Sequence, residues 1–329
     1  MVYFVLSFML SFVYFLDKAQ DNPPQADCDE VYPMKSNRLI NSEFRLALGP
    51  YLELTKPRIV TMVLVTTTIG FLLGARGSVS GSLLALTLLG TALAAGGSSA
   101  LNNYLERELD GRMNRTKGRS LPSGRMDPMN ALFFGVALVL SGVLLLAWRV
   151  NLLTGFLVLL TAFLYVLVYT PLKRLTWWNT SIGAIPGAIP PLSGWTASAG
   201  EIELGAWVLF LILFVWQHPH FYSIAWMYRE DYEQAGYKML PVVDPSGHRM
   251  CNHVLAYSGA LILISVVPSA IGMTGIFYLA GASIISAGVL TAGLILANTR
   301  TKMNARLLLR STIVYLPVLL GLIVVDGVL

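Results

Sequence analysis

Nine apolar runs long enough to cross a bilayer dominate this chain and leave little freedom in what it folds into. They are Ile59–Leu73 with flanking residues, Leu83–Leu101, Ala131–Trp148, Leu152–Tyr169, Ser181–Ala199, Leu204–Trp226, Val254–Met273, Ile276–Ala297 and Ser311–Leu329. In hydrocarbon every backbone polar group needs an internal partner, so such runs fold as helices. Only 12% of the 329 residues are charged, against roughly 25% in soluble domains. Gly and Pro recur inside the runs, as in GAIPGAIPPLSG, which neighbouring helices of a bundle tolerate. The expected class is all-α: a polytopic membrane protein whose nine transmembrane helices form one bundle over 51–329, behind an N-terminal extension over 1–50.

Charge placement orients this bundle. All but Arg76 and Arg149 of the 23 basic residues fall before the first run or after the second, fourth, sixth and eighth. Lys and Arg concentrate in cytoplasmic loops, so the N-terminus and these loops are expected inside and the C-terminus outside. The net charge of +5 then reflects topology, and no nucleic-acid module is visible. Cys28 and Cys251 fall on the reducing side, so no disulfide is expected. Met1–Leu16 is apolar but lacks a basic n-region, which argues against a cleaved signal peptide. No Arg- and Ser-rich transit segment is evident, which favours a bacterial inner membrane.

Chemistry concentrates where the second run ends, in Asn102–Arg119, NNYLERELDGRMNRTKGR. Asn102, Glu106 and Asp110 recur every four residues, so a continued helix stacks three oxygen ligands on one face. Arg112, Arg115, Lys117 and Arg119 follow, placing a phosphate-binding cluster beside a face suited to a hard divalent cation. A solvated loop obeying the charge rule explains the basic residues but does not require the repeated spacing.

Two further loops share that side. In YTPLKR, Pro171 is expected to end the helix near Tyr169, leaving Tyr169 and Lys173 at the surface. The sixth run ends in WQHPHFYSIAWMYREDYEQAGYKMLPVV, where His218 and His220, at i and i+2, point to different faces. Ionisable groups within an apolar run are functional candidates by default, and Glu230 and Asp231 follow as a second acid pair. Before the first run, YLELTKPR reads as an interfacial anchor, with Pro57 in the first turn and Lys56 and Arg58 at headgroup level.

Acids and cations at the mouth of an apolar bundle suit a diphosphate bridged by Mg²⁺ to carboxylates, its lipid tail lying among the helices. For a prenyl diphosphate, such a site helps the C–O bond ionise and keeps water from the resulting allylic cation.

At these residues the chain resembles the intramembrane aromatic prenyltransferases of the UbiA superfamily, over roughly residues 50–325. Asn102, Glu106 and Asp110 match N-x-x-x-D-x-x-x-D, with Glu106 where Asp is usual. Arg115, Thr116 and Arg119 match R-T-x-x-R, and Tyr169 and Lys173 match Y-x-x-x-K. The longer stretches from Tyr169 and from His218 are similar to the branch of the superfamily that farnesylates haem. The resemblance implies a UbiA-type nine-helix bundle, farnesyl diphosphate as donor, haem b as acceptor and Mg²⁺ as cofactor. It assigns Asn102, Glu106 and Asp110 to the metal, and Arg115, Arg119, Tyr169 and Lys173 to the diphosphate. It puts His220, and after it His218, near the haem as ligand or proton-handling group. Asn102, Glu106, Asp110, Lys173 and His220 form the expected catalytic set. The superfamily's second acidic motif is reduced to Glu230 and Asp231, so Asp231 is the candidate for a second metal, and a single-metal site is the alternative. A haem-copper oxidase assembly or a haem A synthase is the implied partner.

Two other readings predict different things. A quinone-type prenyltransferase accepts an aromatic acid in place of haem. A transporter of an anionic substrate needs broken helices near mid-membrane and internal repeats, whereas the charges here gather at one surface.

Overall fold

In the computed structural model, residues 48–328 are described; the expectations for Met1–Leu16, Cys28 and the rest of 1–47 lie outside them. The described residues contain helices and no strand. Nine long helices follow in order: α1 (Pro57–Gly74), α2 (Gly81–Asp110), α3 (Pro128–Arg149), α4 (Leu152–Leu172), α5 (Asn179–Ala199), α6 (Leu204–Met227), α7 (His248–Ala270), α8 (Ile276–Thr299) and α9 (Lys302–Val328). Among the described residues, eight helices are long and apolar enough to cross a membrane. The remaining long helix, α5, carries Pro186, Pro190 and Pro191 and is largely buried against its neighbours.

Several helices outrun the apolar runs that predict them. Helix α9 starts at Lys302 rather than Ser311, α7 at His248 rather than Val254, and α2 continues to Asp110. The apolar run marks only hydrocarbon, whereas backbone hydrogen bonding carries a helix on into the headgroup layer. The 30 residues of α2 measure about 45 Å, well beyond the roughly 30 Å of hydrocarbon, so its last turns project from the membrane core.

Helix α4 corrects the expectation that Pro171 ends it near Tyr169, because it runs on to Leu172. Residues Leu164–Tyr169 wind as a π-helix. This wider turn accommodates Pro171, whose missing N–H and bulky ring would otherwise disturb the preceding turn. The Tyr165 carbonyl accepts from both the backbone N–H and, at 2.8 Å, the hydroxyl of Thr170.

Small residues hold the bundle together. A Cβ added at Gly70 on α1 would lie 1.9 Å from the Pro191 carbonyl oxygen, and one added at Gly194 on α5 would lie 1.9 Å from that of Thr67. The two backbones therefore touch at two places a turn apart, which in lipid is a main source of helix association. Elsewhere, hydroxyls bridge the last three helices: Tyr315 and Ser265 share a 2.6 Å hydrogen bond, and Tyr278 donates to the Ser265 carbonyl.

The two ends of the bundle differ chemically. At one end, Arg76 and Glu203 form an ion pair between the connections after α1 and α5. At the other, the connections after α2, α4 and α6 converge: the Lys238 N–H donates to the Lys173 carbonyl at 2.8 Å, and the Arg115 N–H faces the Asp231 carboxylate at 3.4 Å.

Candidate active site

The last turns of α2 present Asn102, Glu106 and Asp110 on one face, each at most 5% exposed. The sequence places them at a membrane mouth, and the structure buries them beneath the converging segments. Each oxygen-bearing group meets one cation from a different part of the chain. Lys56, just before α1, donates to Asn102 Oδ1 at 2.8 Å. Lys173, just after α4, donates to Glu106 Oε1 at 2.8 Å, and Arg119 to Asp110 Oδ2 at 2.7 Å. The Asn102 amide nitrogen donates to Glu106 Oε2 and to Thr170 Oγ1, so the ligand face is also linked internally.

Local chemistry fixes each cation. Thr116 closes the turn after α2 by donating to the Asp110 carbonyl at 2.8 Å. Glu53 then anchors the connection: it accepts from the Ser120 N–H and hydroxyl and pairs with Arg125 at 3.1 Å. Lys173 lies 4.6 Å from the centre of the Tyr169 ring, which lies so close to Gly183 that a Cβ there would overlap it. Arg115 turns aside, its guanidinium over the Tyr228 and Tyr232 rings. Asp231 sits beside the Arg115 backbone, while Glu230 points away and pairs with Lys302 at 3.0 Å.

The charges act on one another. Burial, together with the Arg119 and Lys173 charges, pulls the Lys56 amine down to about 7. Burial works against the Lys173 charge as well, yet the Glu106 carboxylate holds its pKa well above the usual lysine range. Tyr237 is pushed up by burial and by the Glu106 carboxylate near its enclosed hydroxyl.

The structure thus gathers Asn102, Glu106, Asp110, Arg119, Tyr169 and Lys173, with Arg115 and Asp231 at the rim. The histidines lie apart from this cluster, along α6. His218 is fully buried, stacked 3.6 Å from Tyr257, with Nδ1 2.8 Å from the Phe214 carbonyl and Nε2 3.1 Å from the Ser181 hydroxyl. A carbonyl only accepts, so in the neutral ring Nδ1 carries the proton and Nε2 accepts from Ser181. His220 points instead at α9, 3.0 Å from Thr312 Oγ1, and stacks on Trp216. The Thr312 hydroxyl donates to Leu309, so His220 donates through Nδ1 and keeps its lone pair on Nε2. Their divergence matches the expected i, i+2 geometry.

Sequence reasoning missed Lys56, taken as a headgroup anchor, and Glu53, Thr170 and Tyr237. Pro57 was the available signal for Lys56: it fixes the start of α1, so the residue before it faces the same surface as the end of α2.

No group of three or more His, Cys, Asp or Glu residues able to hold a metal occurs among the described residues. The donor set still fits Mg²⁺, which takes one or two protein carboxylates and completes its shell with water and phosphate oxygens. Glu106 and Asp110 supply two buried carboxylates one turn apart, and Asn102 supplies a neutral oxygen.

Residues 63–313 match the UbiA prenyltransferase family. The chain belongs to that family. It is a multi-pass membrane prenyltransferase, 47% identical over 285 residues to a Solibacter usitatus protein named protoheme IX farnesyltransferase, an alignment covering 84% of this chain and 98% of that relative. The fold is similar to that of digeranylgeranylglyceryl phosphate synthase, with TM-score 0.73, 18% identity and 85% of this chain and 98% of that one covered. It is also similar to a UbiA homolog from Archaeoglobus fulgidus bound to GPP and Mg²⁺, with TM-score 0.60, 17% identity and coverages of 83% and 98%.

Proposed function

We propose that this prenyltransferase transfers a farnesyl group from farnesyl diphosphate to a vinyl group of haem b, giving haem O. The observation that carries the choice of donor and acceptor is the 47% identity, over nearly the whole of both chains, with a protein named protoheme IX farnesyltransferase.

Asn102, Glu106 and Asp110 would hold Mg²⁺, with Asp231 the candidate for a second ion. When bound, the metal neutralises charge on the diphosphate and so eases loss of pyrophosphate. Lys173 and Arg119 exchange their carboxylate partners for diphosphate oxygens, donating charge-assisted hydrogen bonds that strengthen as the farnesyl C–O bond breaks and its electron pair leaves with pyrophosphate. Tyr169 backs the Lys173 ammonium with its ring face. The apolar bundle excludes water from the allylic cation, and vinyl π electrons form the new C–C bond. Water then adds to the resulting cation and loses a proton. We assign that proton to His220, whose Nε2 keeps its lone pair. Placement of the basic residues supports a cytoplasmic site.

The test is product analysis. Purified protein is incubated with farnesyl diphosphate, Mg²⁺ and either haem b or 4-hydroxybenzoate, and products are weighed by mass spectrometry. Haem O is expected, and prenylation of the benzoate alone would overturn the assignment.

A further inference from the structure

Three cations face two carboxylates at the end of α2. Lys173 pairs with Glu106 and Arg119 with Asp110, whereas the hydrogen bond that Lys56 makes among the described residues goes to the neutral carbonyl oxygen of Asn102, and the two carboxylates act on it only from beyond their own partners. An ammonium withdrawn from water beside two like charges is costly unless an anion compensates it. The backbone is committed to this placement. Lys56 has φ 49°, left-handed for an L residue, at the break between the helical turn 48–54 and α1. Pro57 fixes the chain direction immediately afterwards. A cavity of about 50 Å³ is bordered by Lys56 together with Glu53, Asp110 and Arg119. It has room for one or two waters, so the ammonium can move off Asn102 without repacking a helix.

We propose that Lys56 is a third diphosphate-binding cation, which on arrival of the donor exchanges Asn102 Oδ1 for a diphosphate oxygen and frees that amide oxygen for the metal. The proposal rests on the reading of the α2 face as a diphosphate site. A phosphate oxygen is a stronger acceptor for an ammonium than a neutral amide, so the exchange is downhill only when the diphosphate is present. Without it, Lys56 occupies one metal ligand, as Lys173 and Arg119 occupy the other two.

Calorimetric titration of inorganic pyrophosphate with Mg²⁺ into the full chain in nanodiscs tests this, with Lys56→Met, Lys56→Gln and Lys56→Arg beside the wild type. Pyrophosphate affinity is expected to fall about ten- to a hundredfold in Lys56→Met and Lys56→Gln, the worth of a charged hydrogen bond, and to recover largely in Lys56→Arg. Gln can still donate to Asn102 but carries no charge, so wild-type affinity in Lys56→Gln would show that Lys56 only positions Asn102 and would overturn the proposal. Loss of affinity that Arg does not restore, with a lowered melting temperature, would assign Lys56 to packing and overturn it too. If the wild type itself binds no pyrophosphate, the diphosphate reading fails along with this one. Normal wild-type binding and unaltered variants remove only the role of Lys56.

Discussion

Lys173 and Glu106 lie 67 residues apart in the chain, yet the lysine ammonium sits 2.8 Å from Glu106 Oε1. Both side chains are nearly enclosed, at 13% and 7% exposure, and the contact ties the end of α4 to that of α2. Removing one partner of such a pair leaves the other charge uncompensated. Lys173→Met should therefore destabilise the protein by roughly 3 kcal/mol, and the double variant with Glu106→Gln by clearly less. Thermal unfolding in one detergent measures both. With Glu106→Gln alone measured beside them, single losses that simply add in the double variant would mean that the pair carries no coupling.

Asp110→Ala removes a carboxylate from the proposed metal face and the partner of Arg119. Turnover should fall by about a hundredfold or more, while membrane insertion stays intact, because Asp110 lies at the last turn of α2. Single-turnover kinetics beside a membrane-fractionation blot separates the two effects. Full activity in this variant would remove the metal face from the mechanism.

Glu53 touches the ligand face only through the connection it anchors. Glu53→Gln weakens its hold on Ser120 and Arg125, and Arg119 becomes less well placed. KM for farnesyl diphosphate is expected to rise by about three- to tenfold, with kcat less affected. A change confined to kcat would show that the connection acts on chemistry rather than on binding.

The contact of α1 with α5 leaves no space for a methyl group at Gly194, because a Cβ would overlap the Thr67 carbonyl. Gly194→Ala should cost about 1–3 kcal/mol of stability. Gly200, with nothing near its Cβ position but φ +82°, should respond to Ala only through backbone strain. A melting temperature unchanged in Gly194→Ala would mean that the two backbones stand further apart than described.

Arg76 and Glu203 bridge the opposite end of the bundle, with Arg76 72% exposed. Exposed pairs of this kind contribute at most about 1 kcal/mol. Glu203→Gln should leave turnover and melting nearly unchanged. A large loss of turnover there would place functional coupling at the face remote from the carboxylates.

How much of this was legible in the sequence depends on the range of the forces involved. The spacing of Asn102, Glu106 and Asp110 follows from helical geometry alone, so the ligand face could be read directly. Lys56 could not, because its meeting with Asn102 depends on how α1 crosses α2, and a lysine before a membrane helix is ordinarily an anchor. The divergence of His218 and His220 followed from their spacing, but their partners Tyr257 and Thr312 come from distant helices. Pro171 misled for a local reason: a π-turn absorbs a proline, and no residue type marks it reliably.

That π-turn also sets an angle. A π-turn holds one residue more than the α-turn it replaces, so all that follows it on α4 is rotated by about 100° relative to an unbroken α-helix. Deleting a single residue within Leu164–Tyr169 would leave the earlier, bundle-facing part of α4 in phase. It would swing Lys173 about a quarter of the way round the helix, away from Glu106. The aim of that cation is thus a matter of helical phase, adjustable by one residue without moving any helix in the membrane.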